Sequence, residues 1–212
     1  MKSYVWYASY GSNLLEERFL CYIKGGRPEG AKRTYSGCVD KSLPVANRCL
    51  AIPYRLYFAK EAKVWNNGGV AFIHKEKDVK EQTLARMYCI TKEQFMDVVM
   101  QENDLTSRPE INFSKTLNKG IWNLKGGRWY DLLLYLGEEK DEPIFTFTSQ
   151  QLFQPYTLPH ENYLSTIIRG IYQSHGLGPE EVFQYLSIKE GIKGFYDERF
   201  LRKLIAADEG KK

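Results

Sequence analysis

The first 26 residues of the chain predict a strand that runs directly through a small polar turn into a helix. Tyr4 to Ser9 is rich in β-formers and predicts a buried strand. The next residues, Tyr10-Gly11-Ser12-Asn13, form a turn, and an apolar pattern of helical period runs from Leu14 to Gly25-Gly26. Asn13 and Glu16 have the spacing of a capping box. The turn is either an ordinary connection or a place where backbone N–H groups face a ligand.

The rest of the chain contains more candidate strands than helices. Strands are expected at 31–39, 49–58, 69–73 and 84–90, and 129–136 with 143–148 predicts a hairpin. Helices are expected after Thr91, over 161–174 and over 179–186, with a polar surface loop at 103–127 and a frayed end at 207–212. This order predicts an α+β fold, with a curved mixed or antiparallel sheet or barrel and flanking helices. We expect one domain over 1–212 with a C-terminal helical extension at about 158–205.

Composition argues against nucleic-acid binding, a membrane span and a cysteine-based metal site. The 30 Lys and Arg residues exceed the 26 Asp and Glu residues by only four and are scattered, which does not indicate nucleic-acid binding. No apolar run approaches the ~20 residues of a membrane span, and we expect no membrane partner. The four cysteines show no C-x-x-C pair or zinc-like spacing, and the first strand leaves no room for a signal peptide. Reduced thiols and a cytoplasmic location are therefore expected.

The polar turn has the physical properties of an anion site. The first N–H groups of a helix have no intrahelical partner, and the helix dipole places partial positive charge there. Gly11 permits unusual backbone conformations and close approach of a ligand, while Ser12 and Asn13 can cap or form hydrogen bonds. A carboxylate, or an oxygen that becomes negative during a reaction, fits such donors.

Five segments, in order, resemble the γ-glutamylcyclotransferase-like superfamily, which includes AIG2-like proteins. They are the YGSN turn followed by Leu14, the WNNGGVA segment at 65–71, the LARMYCI strand at 84–90, the TKEQFMDVVMQE helix at 91–102, and Pro159-x-x-x-Tyr163. The resemblance extends over roughly residues 4–175. Extra residues around 40–48, the 103–127 segment and additional C-terminal helix depart from a compact member of that superfamily.

The resemblance implies an enzyme, a lyase or acyltransferase that releases 5-oxoproline and a free amine from a γ-glutamyl compound. The α-amine of the substrate attacks its own γ-amide carbonyl, so the reaction needs neither a metal nor a cofactor. Glu102 falls on the catalytic acid–base glutamate. The residues implied in substrate binding are Tyr10, Gly11, Ser12, Asn13, Tyr130 and Tyr163.

Other interpretations of the same residues remain open. Glu102 can be a solvated side chain at a helix C-terminus, and Glu93 and Asp97 are expected on the solvated face of that helix. The three histidines are expected to cap helices or lie at the surface. The chain can also be a non-catalytic ligand-binding module, or an adaptor that uses 103–127 and the C-terminal helices. The amine on the substrate and the oligomeric state are undetermined.

Overall fold

A computed structural model describes residues 2–28 and 33–211 and shows an α+β architecture. Its strands are β1 (Tyr4–Ser9), β2 (Ala46–Ile52), β3 (Leu56–Ala62), β4 (Gly68–Ile73), β5 (Thr83–Thr91), β6 (Ile121–Asn123), β7 (Leu132–Glu139) and β8 (Glu142–Thr148). Its α-helices are α1 (Glu16–Lys24), α2 (Lys92–Glu102), α3 (Phe113–Lys119), α4 (Glu161–His175), α5 (Pro179–Ser187) and α6 (Glu198–Glu209). Among the described residues, no helix is both long and apolar enough to cross a bilayer.

Six strands form one mixed sheet in the order β2-β5-β1-β8-β7-β6, and β3 pairs with β4 in a separate hairpin. Of the neighbouring strands in the large sheet, β1 and β8 run parallel, whereas the other pairs are antiparallel. The expected curved mixed sheet with flanking helices is confirmed. The barrel alternative is wrong, because the sheet does not close and β2 and β6 remain its two edges.

The strand β1 is covered on both faces. Val5 and Tyr7 point to one core, which contains Phe19 of α1 and Phe95 of α2. Trp6, Ala8 and Tyr10 point to the opposite core, which contains residues of β3, β4 and the C-terminal helices. This two-sided burial explains why the strand is a continuous apolar run rather than an alternating one.

Several predicted boundaries change for local reasons. The expected strand at 49–58 is two strands in different sheets, because Pro53 interrupts the run after Ile52. Residues 31 and 32 of the expected 31–39 strand lie outside the described residues; the remainder is loop, with Tyr35 in an isolated bridge to Gly26.

Two helices were not predicted individually: α3 lies in the segment expected as a loop, and α6 extends from the expected C-terminal helical extension into the expected frayed end. The 103–127 segment contains α3 and β6, and the Asn112 side chain caps α3 by accepting the Lys115 N–H. Helix α6 includes residues 207–209 of the expected frayed end, and Asp197 caps its start by accepting the N–H groups of Arg199 and Phe200. Short-side-chain caps of this kind are the signal that identifies both helices.

The position of Glu102 follows from strand pairing. The antiparallel register places Tyr4 beside Thr91 and Ser9 beside Arg86, so β5 ends where β1 begins. The capping box of Thr91 and Gln94 starts α2 there, as predicted, and the Lys92 N–H donates to the Ser3 carbonyl at 3.0 Å. Helix α2 then runs back over β1 for 11 residues, about 16 Å, close to the about 20 Å of a six-residue strand. Its last residue therefore lies level with the turn that follows β1.

Helix α4 presses on that turn at Gly170. A Cβ atom at position 170 would lie 2.5 Å from the Leu14 Cβ and 2.6 Å from the Leu15 nitrogen. The turn backbone fills the space that any other side chain would need. Gly170 thus sets the distance between α4 and the turn.

We predict that Gly170→Ala lowers the free energy of unfolding by about 1–3 kcal/mol, because the added methyl group collides with backbone rather than with an adaptable side chain. Chemical denaturation with global fitting measures it. Gly210→Ala is the control, because nothing lies within 4 Å of the Cβ it adds. Equal stability of Gly170→Ala and the unsubstituted chain would show that the contact is not tight.

Candidate active site

A cavity of about 430 Å³ opens at the end of β1. The turn Tyr10–Asn13 forms one wall, α1 and the end of α2 form a second, and β4 with α4 closes a third. The predicted residues Tyr10, Gly11, Ser12, Asn13, Glu102, Tyr130 and Tyr163 all line it. Whether these residues bind a substrate stays a prediction, but the fold brings all seven to one place.

Glu102 is held by the turn. Its Oε1 accepts a hydrogen bond of 2.9 Å from the Nδ2 of Asn13, across 89 positions in the chain. Burial raises the pKa of Glu102, although the nearby Arg18 and Tyr22 side chains and the hydrogen bond from Asn13 partly oppose the rise. The interpretation of Glu102 as a solvated helix-end residue is therefore wrong.

The predicted capping box of Asn13 and Glu16 is also wrong. Helix α1 begins at Glu16 after a short 3-10 turn at Ser12–Leu14, and its N-cap is Leu15 without a side-chain bond. The amide of Asn13 is instead buried, donates to Glu102 and lies 3.5 Å from the Tyr7 hydroxyl. Its Oδ1 has no partner among the described residues. Asn13 positions the carboxylate rather than the helix.

The donors of the turn differ from those expected of an α-helix start. The Glu16 N–H of α1 donates to the Gln173 side chain at 3.1 Å, outside the cavity lining. The first N–H group of α1 is therefore paired with a side chain outside the cavity lining, and anion binding at the turn stays a prediction. Within the turn, the Ser12 N–H is directed at the Tyr163 hydroxyl, whereas the N–H groups of Gly11 and Asn13 have no acceptor among the described residues. The Gly11 and Asn13 N–H groups are thus the two backbone donors of the turn that are available to a ligand.

Gly11 is needed for space rather than for an unusual conformation. Its φ of −110° is open to other residues. A Cβ atom there would lie 3.1 Å from the Tyr163 hydroxyl and 3.5 Å from the Ala71 Cβ. The missing side chain lets β4 and α4 approach the turn.

The three tyrosines of the site make structural hydrogen bonds as well. Tyr10 donates to the Phe147 carbonyl at 2.7 Å, and Tyr130 donates to the Ala71 carbonyl at 3.0 Å. The Tyr163 oxygen accepts the Ala71 N–H at 3.0 Å. These bonds hold the rings rigidly in the wall, and the Tyr163 ring lies edge-on to Trp65 at 4.9 Å between centroids.

Arg18 is the main site residue that the sequence analysis missed. It lines the cavity, although only 5% of the residue is exposed. The sequence contained a signal for this residue, because Arg18 lies on the same helix face as Leu15 and Tyr22, where an apolar residue is usual.

Charged residues surround the rim of the cavity. Asp104 pairs there with Arg33 at 2.6 Å and with Arg128 at 3.0 Å.

The structure also tests the predictions for the acidic residues of α2 and for His160. Glu93 is exposed as predicted, but Asp97 is buried, because it pairs with Arg108 and its Oδ2 accepts the Val39 N–H at 3.0 Å. His160 caps α4 as expected by accepting the Asn162 N–H at 3.2 Å. Within residues 2–28 and 33–211, no group of three or more His, Cys, Asp and Glu side chains is arranged to hold a metal ion.

We predict that Glu102→Gln raises the thermal midpoint at pH 7.5 by a few degrees. A raised carboxyl pKa means that the unfolded chain releases its proton first, so the free energy of unfolding falls as pH rises from the ordinary value of 4.5 to the folded value. The neutral amide removes this loss. Melting curves at pH 4 and 7.5 should show the gain only at the higher pH; an equal gain at both would contradict the electrostatic cause.

Comparison with known proteins identifies the fold. No protein-family model matches the chain. A curated Arabidopsis thaliana protein named histone deacetylase 5 is 38% identical over 198 residues, which cover 86% of this chain but 30% of that protein. The chain thus spans less than a third of that relative, and the name describes the larger protein.

Two solved structures resemble the chain over nearly its whole length. One is a γ-glutamyl cyclotransferase, with a TM-score of 0.52, 15% identity and coverage of 97% of this chain and 99% of the other. The second is an uncharacterised human protein, with a TM-score of 0.51, 15% identity and the same coverage of both chains. The chain therefore has the γ-glutamylcyclotransferase-like fold that the sequence motifs predicted.

Proposed function

We propose that the chain is a γ-glutamylcyclotransferase-like enzyme, a lyase or acyltransferase that releases 5-oxoproline and a free amine from a small γ-glutamyl compound. The observation that carries the proposal is the hydrogen bond of 2.9 Å from Asn13 to Glu102. It places a carboxyl group of raised pKa in the same cavity as the backbone donors of the turn.

The chemistry requires proton transfer at two nitrogens. The α-nitrogen of the substrate attacks the γ-carbonyl carbon, the new C–N bond closes a five-membered lactam, and the C–N bond to the leaving amine breaks. The α-ammonium loses two protons in total, and the leaving nitrogen gains two to depart as an ammonium ion. Glu102 accepts protons from the first nitrogen and donates them to the second, which requires a pKa nearer to neutrality than that of an exposed glutamate.

The remaining contributions are binding and charge stabilisation. Nucleophile and carbonyl belong to one molecule, so orientation in the cavity lowers the entropic part of the barrier. The N–H groups of Gly11 and Asn13 are available to the carbonyl oxygen as it becomes negative. Tyr10, Tyr130 and Tyr163 supply a rigid wall that orients the substrate.

The Glu102 carboxylate also favours an enzyme over a module that only binds a ligand. Binding a zwitterionic ligand requires charge complementarity but no proton carrier of raised pKa. Burying an acidic side chain destabilises a folded protein, so its presence at the turn indicates a catalytic reason. We propose a cytoplasmic location, and Cys21, Cys38, Cys49 and Cys89 are all free thiols.

We predict that Glu102→Gln lowers the turnover number by about a hundredfold or more, because the amide preserves shape but cannot exchange the proton. A panel of γ-glutamyl compounds is screened by mass spectrometry for 5-oxoproline, and the best substrate is then used for kinetics. Calorimetry on the same variant should show a much smaller change in affinity, since the turn is intact.

The matched control is Glu93→Gln, an identical change on an exposed residue of the same helix. It should retain full turnover. Undiminished turnover in Glu102→Gln would remove this residue from the mechanism. Tight binding of γ-glutamyl compounds without 5-oxoproline release from any of them would favour the binding module.

A further inference from the structure

Arg18 is a buried cation enclosed by aromatic rings. Its guanidinium carbon lies 4.8 Å from the centroid of the Trp65 ring and 5.4 Å from that of Tyr35. Its Nε donates to the Ser12 Oγ at 2.8 Å, and its Nη2 donates to the Tyr35 hydroxyl at 2.7 Å. The rings and the two bonds fix the plane of the guanidinium at the cavity wall.

This charge has no direct counter-ion in the part of the chain that the structure describes. No carboxylate of residues 2–28 and 33–211 forms an ion pair with Arg18, although Glu102 is near enough to act on it electrostatically. Burial alone would lower the pKa of Arg18, but Tyr22, Tyr35 and Glu102 together raise it, so the side chain is charged at neutral pH. Buried cations are ordinarily paired with an anion. The missing partner therefore points to an anionic ligand.

The geometry points to Arg18 as the residue that binds the α-carboxylate of the ligand, opposite Glu102. The two residues then form a pair of opposite charges in one cavity, suited to the ammonium and carboxylate of an α-amino acid. Nη1 of Arg18 has no hydrogen-bond partner among the described residues, so its two N–H groups are available to the ligand. This inference rests on the proposed function for its ligand class and specifies the end of the substrate that the site recognises.

The assignment to Arg18 also gives the ligand two separate anion sites. One binds its α-carboxylate, and the other stabilises the γ-carbonyl oxygen as it becomes negative. With the carboxylate on Arg18, the backbone donors of Gly11 and Asn13 are left for the γ-carbonyl oxygen. The Ser12 hydroxyl links the two parts, because it accepts the Arg18 bond from within the turn.

Ligand binding at Arg18 should then change the electrostatic environment of Glu102. Arg18 is the largest influence that lowers the pKa of Glu102 against the rise caused by burial. A carboxylate on Arg18 would weaken that influence, whereas the ammonium of the same ligand beside Glu102 would favour the charged carboxylate. Substrates that lack the α-carboxylate would lose the first of these effects as well as the contact.

The test compares a carboxylate with its neutral isostere, 5-oxoproline and its carboxamide, by calorimetry at pH 7.5. We expect the unsubstituted protein to bind the acid about tenfold to a hundredfold more tightly, the range for a hydrogen bond to a charged group. Arg18→Gln should bind the two equally. Arg18→Lys should retain a smaller preference, because a lysine keeps the charge but lacks the planar fork.

The control is Arg128→Gln, which removes the same charge from the exposed rim of the cavity. It should keep the preference for the acid. If Arg18→Gln does not fold, as judged by circular dichroism, Tyr35→Phe removes the hydroxyl that accepts from Nη2 and from Tyr22 while keeping the ring, and it should still reduce the preference.

Three results would overturn the assignment. They are equal or unmeasurable binding of acid and amide by the unsubstituted protein, an intact preference in Arg18→Gln or in its substitute Tyr35→Phe, and an equal loss in Arg128→Gln. Failure of the proposed function would give a different result. The unsubstituted protein would release no 5-oxoproline from any γ-glutamyl compound, yet Arg18→Gln would still abolish the preference for the acid. The chain would then have the carboxylate site without the reaction.

Discussion

The antiparallel pairing of β1 with β5 is the constraint on which the site depends. Its register sets Tyr4 opposite Thr91, so α2 starts beside the start of β1 and ends beside its end. A shift by two residues would preserve the faces of the strand but move the end of α2 by about 7 Å along it. The contact between Asn13 and Glu102 would then be lost. The parallel partner β8 pairs with the other side of β1, and both strands contribute side chains to the aromatic core.

The second feature of the site is that it retains two opposite charges, the buried Arg18 and the half-buried Glu102, without an ion pair between them. Arg18 and Glu102 influence each other's pKa values but form no ion pair. Arg18 contacts the Trp65 ring and donates to the Tyr35 hydroxyl, whereas Glu102 accepts from the Asn13 amide. A direct salt bridge would satisfy both charges and leave nothing for a zwitterionic ligand. Under the proposed function, both charges are instead left for a ligand that carries a carboxylate and an ammonium group.

Tertiary packing gave several residues different roles from those their local patterns predicted. Asn13 lies where a helix cap is expected, yet its amide turns to Glu102 because α1 starts three residues later. Asp97 has the spacing of a solvated residue, yet Arg108 and the backbone of Val39 cover it. Helix α3 begins at a side-chain cap within a polar segment whose apolar pattern is weak, and α6 begins at the Asp197 cap ahead of an amphipathic stretch. Each difference arises from a partner distant in sequence or from a side-chain cap.

By itself, the sequence determined the features that depend on neighbours along the chain. These are the strand–turn unit at Tyr4–Asn13, the capped start of α2, the β7–β8 hairpin and the order of motifs that marks Glu102. Only the tertiary structure decided that the sheet stays open, that Asn13 holds the carboxylate and that Arg18 is buried without an ion-pair partner among the described residues. The physical reason is that capping and turn preferences act over a few residues, whereas burial and the pairing of charges depend on elements that meet from far apart in the chain.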